Sequence, residues 1–357
     1  VARNDVLPPE QASLLLEQLE YTLNDTLCHP KHHSTDVSSI PKKLLSITPA
    51  KEVHIPSPVT TLHQFVEMQA RENPHGTALE FVTSFGRYQN TKLRWTYRQL
   101  DGEGNKVAQF LVGMGIRPRS LIAICFKKCP EASFATVGIL KAGCAFVAID
   151  PEAPIDRQKF IIRDSHSSLV LAMTDTAAAL REQSSARVIC LDDIADVLLT
   201  ISPSWQRPEI LNNLQGSDLS YCLYTSGTTG TPKACLLTHE NVVQALMSFQ
   251  RILPWDRGSR FLQFASFHFD VSILEQYWSW SVGICVTSAP RDLILEDIGA
   301  AIRALGITHI DLTPSLAKTL HPDDAPSLRK GVFITGGEKL QQEVIDNWGS
   351  HGCLYNG

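Results

Sequence analysis

Residues 224–233 read Tyr224-Thr225-Ser226-Gly227-Thr228-Thr229-Gly230-Thr231-Pro232-Lys233. A strand candidate, residues 221–224, runs into this stretch, and a helix candidate, 239–249, follows it. The glycines let the backbone turn sharply and approach a ligand. Hydroxyls and free backbone amides can surround phosphate oxygens, and Lys233 adds a positive charge for them. The spacing is neither G-x-x-x-x-G-K-[ST] nor G-x-G-x-x-G. On these residues alone two readings stay open: a phosphate-binding loop, or a flexible surface turn rich in threonine and glycine.

The surroundings of the loop set the fold class. Short apolar runs at 78–82, 93–96, 120–126, 146–149, 169–173 and 188–191 precede it, and 260–264, 283–287, 309–312 and 331–335 follow. Helix-period segments separate them, at 97–114, 131–140, 157–165, 176–182, 239–249, 273–280 and 294–305. Such alternation predicts an α/β fold of parallel, helix-covered sheets. Further upstream, Leu15, Leu16, Leu19, Leu23 and Leu27 recur at helical spacing within 10–27. A polar, proline-bearing linker separates that helix from another over 61–73, stopped by Pro74.

The 357 residues carry 32 Lys and Arg against 37 Asp and Glu, a formal charge of −5. No basic excess marks a nucleic-acid surface. No uninterrupted apolar run is long enough to span a membrane, and Val1 opens no signal-peptide pattern, so a cytoplasmic location is expected. The nine cysteines lack metal-site spacing, and several lie in apolar runs such as 121–125. They read as buried free thiols of a reducing compartment, and no metal site is expected. His29, His32 and His33 read as linker residues, and Trp278 and Trp280 as core.

The stretch 224–233 resembles the signature loop of the adenylate-forming (AMP-binding) enzymes, a family of acyl- and aryl-CoA synthetases, luciferases and adenylation domains of nonribosomal peptide synthetases. Four more segments resemble the same family in the same order. Leu93-Arg94-Trp95-Thr96-Tyr97-Arg98-Gln99-Leu100 is similar to L-T-Y-x-E-L. Leu140-Lys141-Ala142-Gly143-Cys144-Ala145-Phe146-Val147-Ala148-Ile149-Asp150 is similar to L-K-A-G-x-A-Y-V-P-I-D. Phe269-Asp270-Val271-Ser272 matches F-D-x-S, and Gly336-Gly337-Glu338 matches the G-G-E element. The pattern looks most like the amino-acid-activating branch, in a fungal nonribosomal peptide synthetase.

The resemblance implies an ATP- and Mg2+-dependent ligase that converts an amino acid to aminoacyl-AMP and passes it to a phosphopantetheine thiol on an absent downstream carrier domain. Implied partners are the amino acid and the carrier and condensation domains of one megasynthase, with no nucleic acid and no membrane. It assigns Thr225, Ser226, Gly227, Thr228, Thr229, Gly230 and Lys233 to the phosphates, with Lys233, Thr225 and Thr228 as the catalytic positioning groups. Gly336, Gly337 and Glu338 would line the adenine and the substrate pocket, and Glu338 also reads as an anchor for its own loop. Asp270 would pair with the α-ammonium group of the substrate, or else cap the helix that follows. Val271, Leu274, Asp311, Ile334, Gly336 and Gly357 would complete the substrate pocket. Asp311 in such a pocket needs a partner, which points to a long side chain with a donor or cation, such as ornithine, lysine or a hydroxylated derivative, or else Asp311 points away and caps a loop. His268 would gate carboxylate access, and His239 reads as a helix-start packing residue.

By the same resemblance, residues 1–30 are a helical tail like the end of an upstream condensation domain, and 31–60 are a linker. Residues 61–357 are the large N-terminal subdomain of the acyl-adenylate-forming fold. Leu354-Tyr355-Asn356-Gly357 looks like the opening of the family's Y-G-P-T-E motif, so that subdomain is expected to be incomplete at its C-terminus, without the family's C-terminal lysine, and inactive alone. Two positions depart from the family: Ala234 replaces the glycine of P-K-G, and Ala148 the proline of Y-V-P-I-D. A methyl at 234 strains the chain if that site needs positive φ. Two other functions compete: an acyl- or aryl-CoA synthetase-like ligase, which would not need Asp270, and a degenerate nucleotide-binding module of a megasynthase.

Overall fold

The leucine spacing upstream produces α1 (Pro9–Cys28), which belongs to a first unit, Val1–Pro56. Leu15, Leu16, Leu19, Leu23 and Leu27 all stand exposed on it. The computed structural model describes residues 9–29, 55–85, 91–225 and 232–357, so most of the expected linker lies outside the described residues.

The second unit, Ser57–Gly357, opens with α2 (Gln64–Glu72) and an antiparallel hairpin, β1 (Thr77–Ser84) and β2 (Thr91–Thr96). Thr96 then caps α3 (Tyr97–Gly113) in a capping box: its hydroxyl accepts from the Gln99 amide at 3.3 Å, and the Gln99 side chain accepts from the Thr96 amide at 2.9 Å. Strand and helix now alternate through β3 (Leu121–Cys125), α4 (Pro130–Lys141), β4 (Ala145–Ala148), α5 (Ile155–Asp164), β5 (Leu169–Ala172), α6 (Thr174–Gln183), β6 (Arg187–Cys190) and α7 (Ala195–Thr200). A second hairpin, β7 (Leu219–Thr225) and β8 (Lys233–Thr238), leads into α8 (His239–Ile252) and β9 (Arg260–Leu262). The next helical stretch has three parts: α9 (Val271–Ile273), a π-helical segment at Leu274–Trp278, and α10 (Ser279–Val282). Then come β10 (Cys285–Ser288), α11 (Arg291–Leu295), α12 (Ile298–Leu305), β11 (His309–Leu312), α13 (Pro314–Ala317), β12 (Val332–Thr335), α14 (Gln342–Trp348) and β13 (Leu354–Asn356).

These strands form two sheets, ordered β13-β12-β11-β9-β10-β1-β2 and β6-β5-β3-β4-β7-β8. Each is parallel except at one edge, where β2 runs antiparallel to β1 and β8 to β7. Parallel pairing forces crossover helices onto the faces, which is why β3, β4 and β5 are apolar throughout. Alternate side chains point to opposite faces. Ile122, Ile124 and Phe146 of one sheet and Leu79, Val286 and Ile334 of the other enter one shared core. Ala123, Cys125 and Val147 face an outer layer with α5 and α6, and Ile310, Leu312 and Phe333 face another with α12 and α14. Helix α4 and the stretch from α9 to α10 lie in the shared core and bury nearly every side chain. Ser133 of α4 donates to Gln276 Oε1 at 2.8 Å, tying the two together. Trp278 and Trp280 are core, and Trp280 Nε1 donates to the Ala78 carbonyl at 3.1 Å.

Three local departures from the sequence reading have physical causes. Strand β8 intervenes between the glycine-rich loop and its helix; residues 233–238 pair with β7 as an edge strand. The helix expected over 294–305 is broken, because the Asp297 carboxylate caps a fresh start by accepting from the Ala300 amide at 2.8 Å. The helix expected over 273–280 extends from 271 to 282 and carries the π segment. All nine thiols are free: Cys28 and Cys235 are exposed, Cys129 is half-buried and the other six are buried. Burial pushes the Cys125 and Cys144 thiols up to about 12.

The entry to β12 demands a glycine. A Cβ on Gly331 would stand 1.8 Å from the Thr308 carbonyl oxygen, which accepts from the Val332 amide at 2.9 Å. Gly331→Ala is expected to cost about 3 kcal/mol, since backbone has to move. A denaturant midpoint equal to that of the unaltered protein would contradict this packing.

Candidate functional site

The site begins at the root of the β7–β8 hairpin, where Thr225 and Lys233 stand in register across the two strands. Ser226, Gly227, Thr228, Thr229 and Gly230, expected to hold phosphate, lie outside the described residues. The entrance to the loop is fixed from below: the Tyr224 hydroxyl donates to Asp164 Oδ2 at 2.6 Å, and Phe160 packs edge-on against the Tyr224 ring. Ala234 lies within β8, and the non-glycine residues with positive φ among those described are Arg119 and His166. The methyl that replaces the family's glycine therefore strains nothing.

Beside the hairpin opens a cavity of about 770 Å3. Tyr221 and Leu237, partners in the β7–β8 register, form one wall, and one face of α8 forms another. Asp270, Val271, Leu274, Asp311, Ile334, Gly336 and Gly357, the seven positions carried over as substrate contacts, all line this cavity, as do Gly337 and Glu338. Strand period explains Asp311 and Ile334. Asp311 shares a face with His309, which packs on Trp278 in the shared core, while Ile310 and Leu312 face away. Ile334 likewise belongs to the shared core. Gly336 sits where a Cβ would come within 3.3 Å of the Gly357 carbonyl oxygen, and Gly337 needs its positive φ of 81°.

The charged groups of the cavity differ in how far the protein satisfies them. Asp270 accepts from the Val271 amide at 2.9 Å, so it caps the helix and lines the cavity at once. Glu338 is engaged by Ser315, whose amide and hydroxyl both donate to Oε2 and so pin the start of α13. Asp311 is nine-tenths buried, yet among the described residues no protein group donates to its carboxylate. Burial pushes its carboxyl up to about 7, and the charge of Asp270 adds to the shift. Arg291 supplies a cation at the rim, its guanidinium 4.7 Å from the Phe264 ring centroid.

His268 lies outside the cavity lining, with Nε2 3.9 Å from Asp150 Oδ2 and its ring tilted on Phe269. Burial holds it below the usual imidazole value, against the pull of Asp150. His239 is a buried packing residue whose Nδ1 accepts from the Leu62 amide at 3.0 Å, and burial lowers it to about 4. The sequence reading missed the α8 wall, made by Asn241, Ala245 and Phe249 with Val242 and Leu246. The i, i+4 spacing of these residues was readable, but nothing in it separates a cavity face from a core face. Among the described residues no cluster of His, Cys, Asp or Glu could hold a metal ion.

Comparison with known proteins agrees with this architecture. A family description, AMP-binding enzyme, matches residues 66–357. Nonribosomal peptide synthetase 2 of Cochliobolus heterostrophus is 56% identical over 99% of this chain, which spans 6% of that protein. The hydroxamate-type ferrichrome siderophore peptide synthetase of Schizosaccharomyces pombe is 45% identical over 98% of this chain, which spans 7% of it. Among solved structures, VinN in complex with L-aspartate superposes with a TM-score of 0.71 at 23% identity, over 83% of this chain and 74% of that one. The N-terminal subdomain of Klebsiella oxytoca NpsA gives 0.71 at 19% identity, over 84% and 72%. At such identities the structures speak for the fold alone, whereas the family match runs through both sheets and the whole cavity. On that match, the chain belongs to the AMP-binding enzyme family.

Proposed function

We propose that this chain is the amino-acid-selecting part of a nonribosomal peptide synthetase adenylation domain, which joins an amino acid to AMP with loss of pyrophosphate before transfer to a phosphopantetheine thiol. The observation that carries the reading is the cavity with Asp270 and the unpartnered Asp311 both facing into it. Asp270 would take the α-ammonium group in a charge-assisted hydrogen bond. Asp311 would accept from the far end of a long side chain, and the glycines at 336 and 357 leave that chain room. Ornithine, lysine and their hydroxylated derivatives have this shape and this donor. The name of the Schizosaccharomyces pombe relative specifies a hydroxamate siderophore, and an N-hydroxylated amine side chain fits that chemistry.

The phosphates of ATP would meet the hydroxyl of Thr225 and the ammonium of Lys233 at the hairpin root, together with Ser226, Gly227, Thr228, Thr229 and Gly230. Mg2+ accompanies ATP and neutralises phosphate charge. The chain's own work is positioning: it holds the carboxylate and the α-phosphate within reach and excludes water. Gly336, Gly337 and Glu338 would border the adenine. By the same proposal the helix Pro9–Cys28 ends a preceding condensation domain, and a carrier domain receives the product. No helix among the described residues is long and apolar enough to cross a membrane. Nine free thiols suit the reducing cytoplasm, where we place the enzyme.

Amino-acid-dependent ATP–pyrophosphate exchange by the full-length protein tests the reading, with ornithine, lysine and hydroxylated derivatives beside small apolar amino acids. Preference for the small apolar set would overturn it. Asp270→Ala should raise the amino-acid KM roughly ten- to a hundredfold and leave the ATP KM nearly unchanged.

Asp311→Asn should abolish the preference for the donor-bearing side chain while stabilising the empty protein. The sign follows from linkage: a carboxyl held up near 7 when folded makes stability fall as pH rises from the ordinary carboxylate range to about 7. Asn removes that loss, so its melting temperature should exceed that of the unaltered protein by several degrees at pH 8, with the gap closing toward pH 4. A gap independent of pH would show that the Asp311 charge is not the cause.

A further inference from the structure

Ala265 follows β9 in the cavity wall, and buried charge grips its backbone from both ends. Its amide donates to Glu275 Oε1 at 2.9 Å, and the Phe264 amide donates to the same oxygen at 3.0 Å. Gln263 Nε2 reaches Glu275 Oε2 at 3.2 Å. At the other end, the Ala265 carbonyl accepts from the Lys128 ammonium and from Gln263 Nε2, the latter at 2.9 Å. Lys128 arrives from the loop between β3 and α4, that is, from the opposite sheet, and crosses the Phe267 ring 4.9 Å from its centroid. Glu275 is fully buried in the π segment, next to Leu274 and one turn beyond Val271. A carboxylate surrounded only by N–H donors is matched to them as an ion, since a protonated acid would face donors with a donor. Burial pushes the Glu275 carboxyl up and the Lys128 ammonium down, and the opposite charge of each counteracts the shift of the other.

Apolar side chains would fill this space as stably as a buried ion pair does. What the charges add is a single conformation for three consecutive residues, Phe264, Ala265 and Ser266, all of which border the cavity. They also couple that wall to the helix bearing Asp270, Val271 and Leu274. We propose that Lys128 and Glu275 are positioning residues for the amino acid, holding the 264–266 wall and the Asp270 helix in the one relative arrangement that accepts it. This rests on the reading of the cavity as an amino-acid site.

The test uses the full-length protein with Lys128→Met, Glu275→Gln and the conservative Lys128→Arg. Glutamine at 275 turns an amide donor toward donors, and methionine at 128 leaves the Ala265 carbonyl without its cation. Each is expected to raise the amino-acid KM in pyrophosphate exchange about tenfold or more, with the ATP KM within about twofold, and Lys128→Arg should recover most of the loss. Hydrogen exchange at the Phe264 and Ala265 amides should quicken at least about tenfold in Glu275→Gln, with β4 unchanged. Amino-acid KM values at the unaltered level would overturn the proposal, as would equal rises in both KM values with general loss of protection. Should the first two variants fail to fold, Glu275→Asp keeps the charge but falls short of the amides. It is expected to raise the amino-acid KM several-fold, and an unaltered KM overturns the proposal. If the unaltered protein exchanges pyrophosphate with no amino acid, the functional reading falls by itself. Hydrogen exchange then decides the clamp: protection lost only at Phe264 and Ala265 supports it, and protection kept there refutes it.

Discussion

Two helices with almost no water-facing side are the constraint from which the rest of this structure follows. Helix α4 and the 271–282 stretch fill the layer shared by both sheets, so their polar groups are either answered inside the protein or, like the Tyr277 hydroxyl and Trp278 Nε1, left without a hydrogen-bond partner among the described residues. Ser133 is answered by Gln276, and Gln276 in turn donates to the Ser272 carbonyl at 3.0 Å. Lys141 is answered by Glu67 at 2.9 Å, Asp101 at 2.7 Å and Asn105 at 2.8 Å, which brings α2 and α3 to α4. Directional contacts of this kind admit one sliding position, where an all-apolar layer would tolerate several. The helix that Asp270 caps is thus tied to α4 through Gln276, six residues further along the chain.

Lys141 also shows how family motifs divide between chemistry and architecture. It lies in the Leu140-Lys141-Ala142-Gly143 stretch that marks the family, yet it is buried beneath three partners and far from solvent. Gly143 in the same stretch has φ of 72° and turns the chain from α4 into β4. Asp270 and Asp311 line the cavity instead, Asp270 while capping the helix that follows it and Asp311 with no donor among the described residues. A buried carboxylate without a donor is a local sacrifice of stability, tolerable in a protein whose two sheets and three cores supply stability elsewhere.

The parallel strands were legible because burial on both faces writes them as short unbroken apolar runs; residues 309–312 coincide with the strand, and most others lie within two residues of the expectation. Strand β8 was not legible, since an edge strand opening on Lys233 reads as the tail of a glycine-rich loop. The π segment was not legible either. It arises where Leu274 must face the cavity while Glu275, Gln276 and Tyr277 are all buried, a demand set by tertiary packing rather than by propensity. The cavity positions came from motif resemblance, whereas the clamp at Ala265 joins residues 128, 263, 265 and 275, which no local pattern connects.

The distribution of thiols has a practical side. Reactivity needs an accessible thiolate, and six of the nine cysteines are sealed in the cores, with Cys129 half-buried and pushed well above the ordinary thiol range by burial. Alkylating dyes are thereby steered to Cys28 and Cys235. The second lies two residues past Lys233, on the exposed edge strand that follows the glycine-rich loop. If the proposed phosphate role of this segment holds, a fluorophore there reports on nucleotide arrival without any engineered attachment point, and replacing Cys28 by serine leaves Cys235 as the exposed thiol of this chain.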